Sequence, residues 1–280
     1  MYEQDYIDLC DRILSNGQWV ENKRTGKRCL TVINQSFAYT PDDAPLLTIK
    51  KSFPVSAMAE LLGYLRGYTY ADQFAAIGSP TWFANANETE SWLNNPNREG
   101  DNHIGKCYGA IGRDFGGIDL INKVVNNLSN HFDDRGEIIT FWKPDEFDKA
   151  ALRPCMYSHH FSVLGGKLYL TSYQRSCDVP LGLNFNSIQC YMLLQLMARI
   201  TNLEVGECYH HIVNAHIYED QIEGVEKMLK NKPLSQRGEI ELADWLTSMD
   251  DIIGNDRHAR DYINVSNYYH YGKIDFPMTA

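Results

Sequence analysis

Seven cysteines, nine histidines and a few carboxylates set in apolar runs are the residues of this chain best equipped for chemistry. The cysteines (Cys10, Cys29, Cys107, Cys155, Cys177, Cys190 and Cys208) are odd in number and widely spaced, with no CxxC pair. That pattern argues against a disulfide framework or a zinc ribbon. Most of the set reads as buried thiols, leaving room for one nucleophile. A thiol ionises near neutral pH far more readily than a hydroxyl, so one reactive cysteine would imply covalent catalysis through sulfur. The adjacent pairs His159-His160 and His210-His211 point to opposite faces of a strand. No carboxylate or thiolate stands at supporting spacing, so no metal site is expected. Glu60 lies among Ala57, Met58, Leu61, Leu62 and Leu65. Desolvation there should push its pKa upward, which suits proton exchange. The Asn186 carboxamide offers a donor and an acceptor together; it can read a base edge or cap the helix that follows. Trp82 sits in a polar stretch and is expected to be exposed, with a face free for stacking.

The elements that must hold these residues follow from periodicity. Residues 2–15 predict a helix with Tyr6, Leu9, Cys10, Ile13 and Leu14 on one face, and 29–39 alternate as a strand. Residues 55–66 predict a buried helix, 70–103 an irregular Asn-rich stretch, 117–131 a helix and 136–144 a strand. Two strands over 156–176 turn at Gly165-Gly166. A long apolar helix covers 184–202 and a strand 206–218, and 221–262 reads as polar and helical with a loop. Without a regular βαβ repeat, the expected fold class is α+β: a single domain over 1–280, with a mixed twisted sheet packed by helices. At 280 residues, 44% of them hydrophobic, the chain can bury one large core. A net charge of −10 disfavours a nucleic-acid partner, though a few clustered arginines still suffice for a small anion. No apolar leader or run of about 18 apolar residues occurs, so no membrane association is expected and the location should be cytoplasmic, in host cytoplasm if the chain is viral.

Three segments carry a resemblance: Arg153-Pro154-Cys155, the block Gln174-Arg175-Ser176-Cys177-Asp178-Val179-Pro180-Leu181-Gly182-Leu183-Asn184-Phe185-Asn186, and Asn214-Ala215-His216-Ile217-Tyr218. Their order and separations resemble the thymidylate synthase family. Arg24-Thr25-Gly26 resembles its phosphate-binding loop, and the tail to Ala280 its closing segment. The resemblance implies that Cys155 adds to C6 of the pyrimidine, making C5 a nucleophile toward a one-carbon unit from 5,10-methylenetetrahydrofolate. It implies Glu60, Tyr108, Asn186 and Arg175 as its catalytic companions. Arg24, Arg135, Gln174, Ser176, Asp178, His216 and Tyr218 would bind substrate, with His216 and Tyr218 on the sugar hydroxyl. Lys50, Trp82, Leu152, Gly182 and Ala280 would face the folate, Lys50 toward its glutamate tail. Asn186 points to dUMP, since relatives acting on deoxycytidylate carry Asp there. The implied reaction is reductive methylation of dUMP to dTMP in a homodimer, with Arg135 reaching across the interface. The alternative on the same scaffold is a hydroxymethylase releasing 5-hydroxymethyl-dUMP.

The sequence also departs from the family pattern. Gly136 replaces the second arginine of a pair, leaving Arg135 alone unless Arg153 or Arg113 substitutes. Met156 replaces the usual histidine after the nucleophile, Gly112 stands where a tryptophan precedes Arg113, and Asn85 replaces a second tryptophan.

Overall fold

The computed structural model describes residues 1–23 and 26–278; Arg24 and Ala280, both expected at the site, lie outside them. Ten α-helices are found among the described residues: α1 (Tyr2–Asn16), α2 (Pro54–Arg66), α3 (Ala71–Ala76), α4 (Phe83–Asn87), α5 (Glu90–Leu93), α6 (Gly109–Arg113), α7 (Leu120–Ser129), α8 (Asn184–Ile200), α9 (Ile222–Met228) and α10 (Asp250–Ile253). The strands are β1 (Gln18–Asn22), β2 (Lys27–Tyr39), β3 (Ile138–Thr140), β4 (Met156–Leu164), β5 (Lys167–Asp178), β6 (Glu204–Tyr218), β7 (Glu239–Leu242) and β8 (Ile263–Ser266). Six of them form one sheet in the order β1-β2-β6-β5-β4-β3, and β7 pairs with β8 in a separate ribbon. The α+β class with a mixed sheet is thus what the chain adopts.

All pairings of the large sheet are antiparallel except β5 with β6. A parallel pair needs a crossover, and α8 supplies it. Because α8 joins two central strands, it lies against them and is buried nearly all round. Side chains alternate across a strand, so Ser172, Gln174, Cys208, His210 and Ile212 turn toward this core while Tyr173, Tyr209 and Val213 are exposed on the other side. The helix α2 packs on α8. It starts with Pro54 at its first turn and stops at Gly67, whose φ of +72° lets the chain reverse.

Three stretches differ from expectation. Residues 70–103 are not irregular throughout: they hold α3, α4 and α5, too short for periodicity to reveal. The 117–131 helix begins only at Leu120, where the Asp119 side chain accepts from the Asn122 N–H, and the 136–144 strand is reduced to Ile138–Thr140. Residues 221–262 are not mainly helical; α9 and α10 are short, and Glu239–Leu242 pairs with Ile263–Ser266.

Candidate active site

The Arg153-Pro154-Cys155 segment precedes β4 and is held by two side chains. Arg175, near the end of β5, donates from Nε to the Pro154 carbonyl at 2.9 Å and from Nη2 to the Arg153 carbonyl at 3.1 Å. The same Nη2 lies 3.8 Å from Cys155 Sγ, so a thiolate there would face a positive charge. The Arg175 N–H donates to the Cys155 carbonyl at 2.8 Å. From the opposite side the Tyr108 hydroxyl accepts the Cys155 N–H at 3.0 Å. Burial holds the Tyr108 phenol well above the ordinary tyrosine range, so it stays protonated. Tyr108 takes φ +43°, a strained backbone for a bulky residue. The next residue explains how it is held. A Cβ on Gly109 would stand 1.7 Å from the Tyr64 carbonyl oxygen, so glycine lets α6 press against α2. Cys155 is half-buried, whereas the six other cysteines are buried. Burial pushes the thiols of Cys10 and Cys107 up to about 12.

A hydrogen-bonded chain of side chains runs beside the nucleophile. His210 Nε2 lies 2.8 Å from Gln174 Oε1, and Gln174 Nε2 donates to Asn186 Oδ1 at 3.1 Å. Asn186 Nδ2 donates to Gln189 Oε1 at 3.1 Å, and Gln189 Nε2 donates to Glu60 Oε2 at 2.7 Å. Thr81 Oγ1 donates to Glu60 Oε1 at 2.9 Å. Burial raises the proton affinity of Glu60, as its apolar neighbours suggested, while the Thr81 and Gln189 donors oppose that rise. Gly182, in a π-helical turn over Val179–Leu183, lies beside this chain: a Cβ there would approach Asn186 Oδ1 to 3.7 Å.

The nucleotide-binding residues expected on β5 and β6 are register neighbours, Ser176 opposite Asn214 and Asp178 opposite His216. His216 Nδ1 lies 2.9 Å from Asn214 Oδ1, an acceptor, so Nδ1 carries hydrogen and Nε2 is left to accept. Burial pushes His216 down to about 4, keeping it neutral. Its ring meets that of Tyr218 edge-on at 5.1 Å. Asp178 is pushed up to about 6 by burial and accepts from Gln221 Nε2, which also donates to the Pro277 carbonyl.

Two placements correct the sequence reading. Trp82 is not exposed: it is 3% accessible, packed edge-on against Tyr64 and Tyr108 and tilted against Phe74. Rings from α2, from α3 and from the residue before α6 close around it, so it backs the site instead of offering a free face. Lys50 is also buried; its Nζ bonds the Pro180 carbonyl and lies 5.2 Å from the Phe276 ring, which covers it. Burial pushes its pKa down to about 8, and it does not point outward toward a glutamate tail. Leu152 is half-buried against the core. Arg135, at φ +70° in an exposed turn, donates its backbone N–H to Asp133 Oδ1, and its carbonyl accepts from His160 Nε2. Arg113 is engaged by Asp119 at 2.9 Å and by Asn122, so it is no substitute for the lost second arginine. Met156 is buried, its sulfur 3.3 Å from Cys190 Sγ. Gln189, Thr81 and Gln221 were not expected at the site. A polar residue three after Asn186 in an apolar helix was the available signal for Gln189; nothing local marks the other two.

The thymidylate synthase family model matches residues 4–280. The chain belongs to the thymidylate synthase family. It is 56% identical over 238 residues to the thymidylate synthase of Marinomonas sp., covering 82% of this chain and 84% of that one. It is 49% identical to that of Shewanella frigidimarina, covering 99% of this chain and all of the relative. Identity to the Idiomarina loihiensis enzyme is 51% over 285 residues, with the same coverage. The names of these relatives support the methylating reading and not the hydroxymethylase. Among the described residues, no cluster of His, Cys, Asp or Glu could hold a metal ion, and no helix is long and apolar enough to cross a membrane.

Proposed function

We propose that this chain converts dUMP to dTMP, with 5,10-methylenetetrahydrofolate as co-substrate and Cys155 as the nucleophile. The observation that carries the reading is the half-buried Cys155 thiol with the Arg175 guanidinium 3.8 Å from its sulfur and the Asn186 carboxamide within the adjoining hydrogen-bonded chain. Cys155 Sγ adds to C6 of uracil and the electron pair moves toward O4, leaving C5 nucleophilic. Arg175 holds the cysteine loop with Nε and Nη2, and its remaining N–H groups, with Ser176, can meet phosphate. Asn186 offers an acceptor and a donor for N3–H and O4; cytosine presents the opposite pattern and leaves both unpaired. Glu60 exchanges protons near O4, and the protonated Tyr108 phenol assists loss of the C5 proton. The Asp178 backbone contacts the base, and neutral His216 with Tyr218 meets the sugar hydroxyl. The folate supplies the one-carbon unit and then a hydride. Leu152 and Gly182 border its place, and Trp82 supports it from behind.

The protein acts as one catalytic unit over 1–280 and as a cytoplasmic homodimer. Support for the dimer comes from the uncovered face of the large sheet. There Tyr173, Tyr209 and Val213 are 38%, 38% and 52% accessible, a broad apolar surface for a second copy. Arg135 meets Asp133 and His160 through its backbone N–H and carbonyl, so its exposed side chain can serve the partner's phosphate site. Cys155→Ser tests the reading: dUMP binding should stay within about tenfold of the parent while turnover is lost, because only the covalent step is removed. Turnover above a few per cent of the parent would refute Cys155 as the nucleophile.

A further inference from the structure

The polarity of the hydrogen-bonded chain beside Cys155 is fixed at one end. Gln174 Nε2 donates to the Ser176 carbonyl at 2.9 Å, and a carbonyl can only accept. That identifies the nitrogen of Gln174, whose second hydrogen goes to Asn186 Oδ1. Asn186 must then present its nitrogen to Gln189 Oε1, and Gln189 its nitrogen to Glu60 Oε2. None of the three carboxamides can turn over without setting two donors or two acceptors face to face. Gln189 is 1% exposed, so no solvent relieves such a clash.

We propose that Gln189 is the positioning residue that couples uracil reading by Asn186 to the proton on Glu60, an assignment that rests on the roles given to those two residues above. Its Oε1, together with Gln174 Nε2 on the other side, fixes which end of the Asn186 carboxamide faces the nucleotide site. Its Nε2 occupies Glu60 Oε2 with a donor that cannot become an acceptor, so a proton arriving on Glu60 goes to Oε1. That oxygen faces Thr81, a hydroxyl that can switch between donating and accepting. Thr81 Oγ1 lies 2.9 Å from Ser79 Oγ, and Ser79 lies 3.3 Å from the half-buried Ser56 hydroxyl. Glu60 is thus bounded by a fixed amide toward the base reader and by switchable hydroxyls away from it. The titratable groups facing it are the phenols of Tyr64 and Tyr108, both held above the ordinary range by burial.

Two variants test this by the pH profile of kcat/KM and by the dUMP:dCMP ratio of kcat/KM. Gln189→Met keeps the side-chain length and removes both bonds. Without the Nε2 donor Glu60 holds its proton more tightly, so the limb belonging to it should move to higher pH by about one unit. With Asn186 then held by Gln174 alone, its carboxamide is less firmly placed and the preference for dUMP should fall by about tenfold. Gln189→Glu keeps the shape but sets two carboxyls together. It should be impaired at neutral pH and recover as pH falls, because a protonated carboxyl can again donate to Glu60. A folded Gln189→Met protein with the parental limb and the parental ratio, whatever its kcat, would overturn the assignment. Should that variant fail to fold, absence of acid recovery in Gln189→Glu would overturn it equally. A parent chain that forms no dTMP would instead refute the function itself.

Discussion

Asn186→Asp perturbs base reading and proton placement together, and the structure sets the scale. The native carboxamide stands 3.1 Å from Gln174 Nε2 on one side and 3.1 Å from Gln189 Oε1 on the other. A carboxylate keeps the first bond and turns the second into a contact between two acceptors. Either the new acid takes up a proton, or Gln189 turns over and places its oxygen against Glu60 Oε2, now 2.7 Å from the amide nitrogen. The second route forces a proton onto Glu60. An unmade buried bond of this kind costs about 1–3 kcal/mol, so kcat/KM for dUMP should fall about 5- to 150-fold. For dCMP it should rise relative to dUMP, since a carboxyl oxygen accepts from the cytosine amino group. Steady-state kinetics with both nucleotides, at mildly acidic and mildly alkaline pH, measure the ratio, and the dUMP defect should be larger in alkali. A parental ratio at both pH values would refute Asn186 as the base reader and the fixed polarity of its neighbours.

Acid should weaken the fold through its buried histidines. His159, His210 and His216 are pushed down to about 4, 3 and 4 by burial, whereas an unfolded histidine titrates near 6.5. Their contribution is whole above about pH 6.5 and is lost as pH falls toward 4, by about 2 kcal/mol each at pH 5. Asp178, raised to about 6, opposes this by about 1 kcal/mol at that pH, and Glu60 acts in the same sense as Asp178. The denaturant midpoint should therefore drop clearly between pH 7.5 and 5; an unchanged midpoint would refute the neutral buried histidines. Gly109→Ala should cost about 1–3 kcal/mol and a larger share of activity, because α6 must retreat from the Tyr64 carbonyl and carry Tyr108 with it. Thermal melting and turnover check it, and a variant with full kcat would show that Tyr108 need not be held there. Mixing an Arg135→Ala chain with a Cys155→Ser chain should restore activity, since one site of the mixed dimer has its own Cys155 and the partner's Arg135. No rescue between folded, exchanging chains would count against a shared phosphate site.

Much of this arrangement is legible in the sequence where one residue's environment is local. The apolar turn around Glu60 announces a desolvated carboxylate, and the runs 29–39 and 206–218 announce two long strands. The block ending in Asn186 carries its own order, so Arg175 beside Cys155 and Asn186 at the head of α8 follow from the resemblance. The failures arise where distant segments decide the environment. Trp82 looks exposed among polar neighbours, yet Tyr64, Phe74 and Tyr108 enclose it. Lys50 is expected to face the folate's glutamate tail, yet Phe276 lies over it from the far end of the chain. Strand β7 was hidden because its partner lies more than twenty residues on. Gln189 is visible only as a polar interruption of an apolar helix, and its two partners come from different helices.

The central claim is that carbon is transferred to C5 of dUMP and then reduced by the folate. It is tested most directly by incubating the protein with dUMP and 5,10-methylenetetrahydrofolate, weighing the nucleotide product and counting the dihydrofolate formed. The expected result is dTMP, with one dihydrofolate for each molecule. A product heavier than dTMP by one oxygen, formed without dihydrofolate, would contradict it.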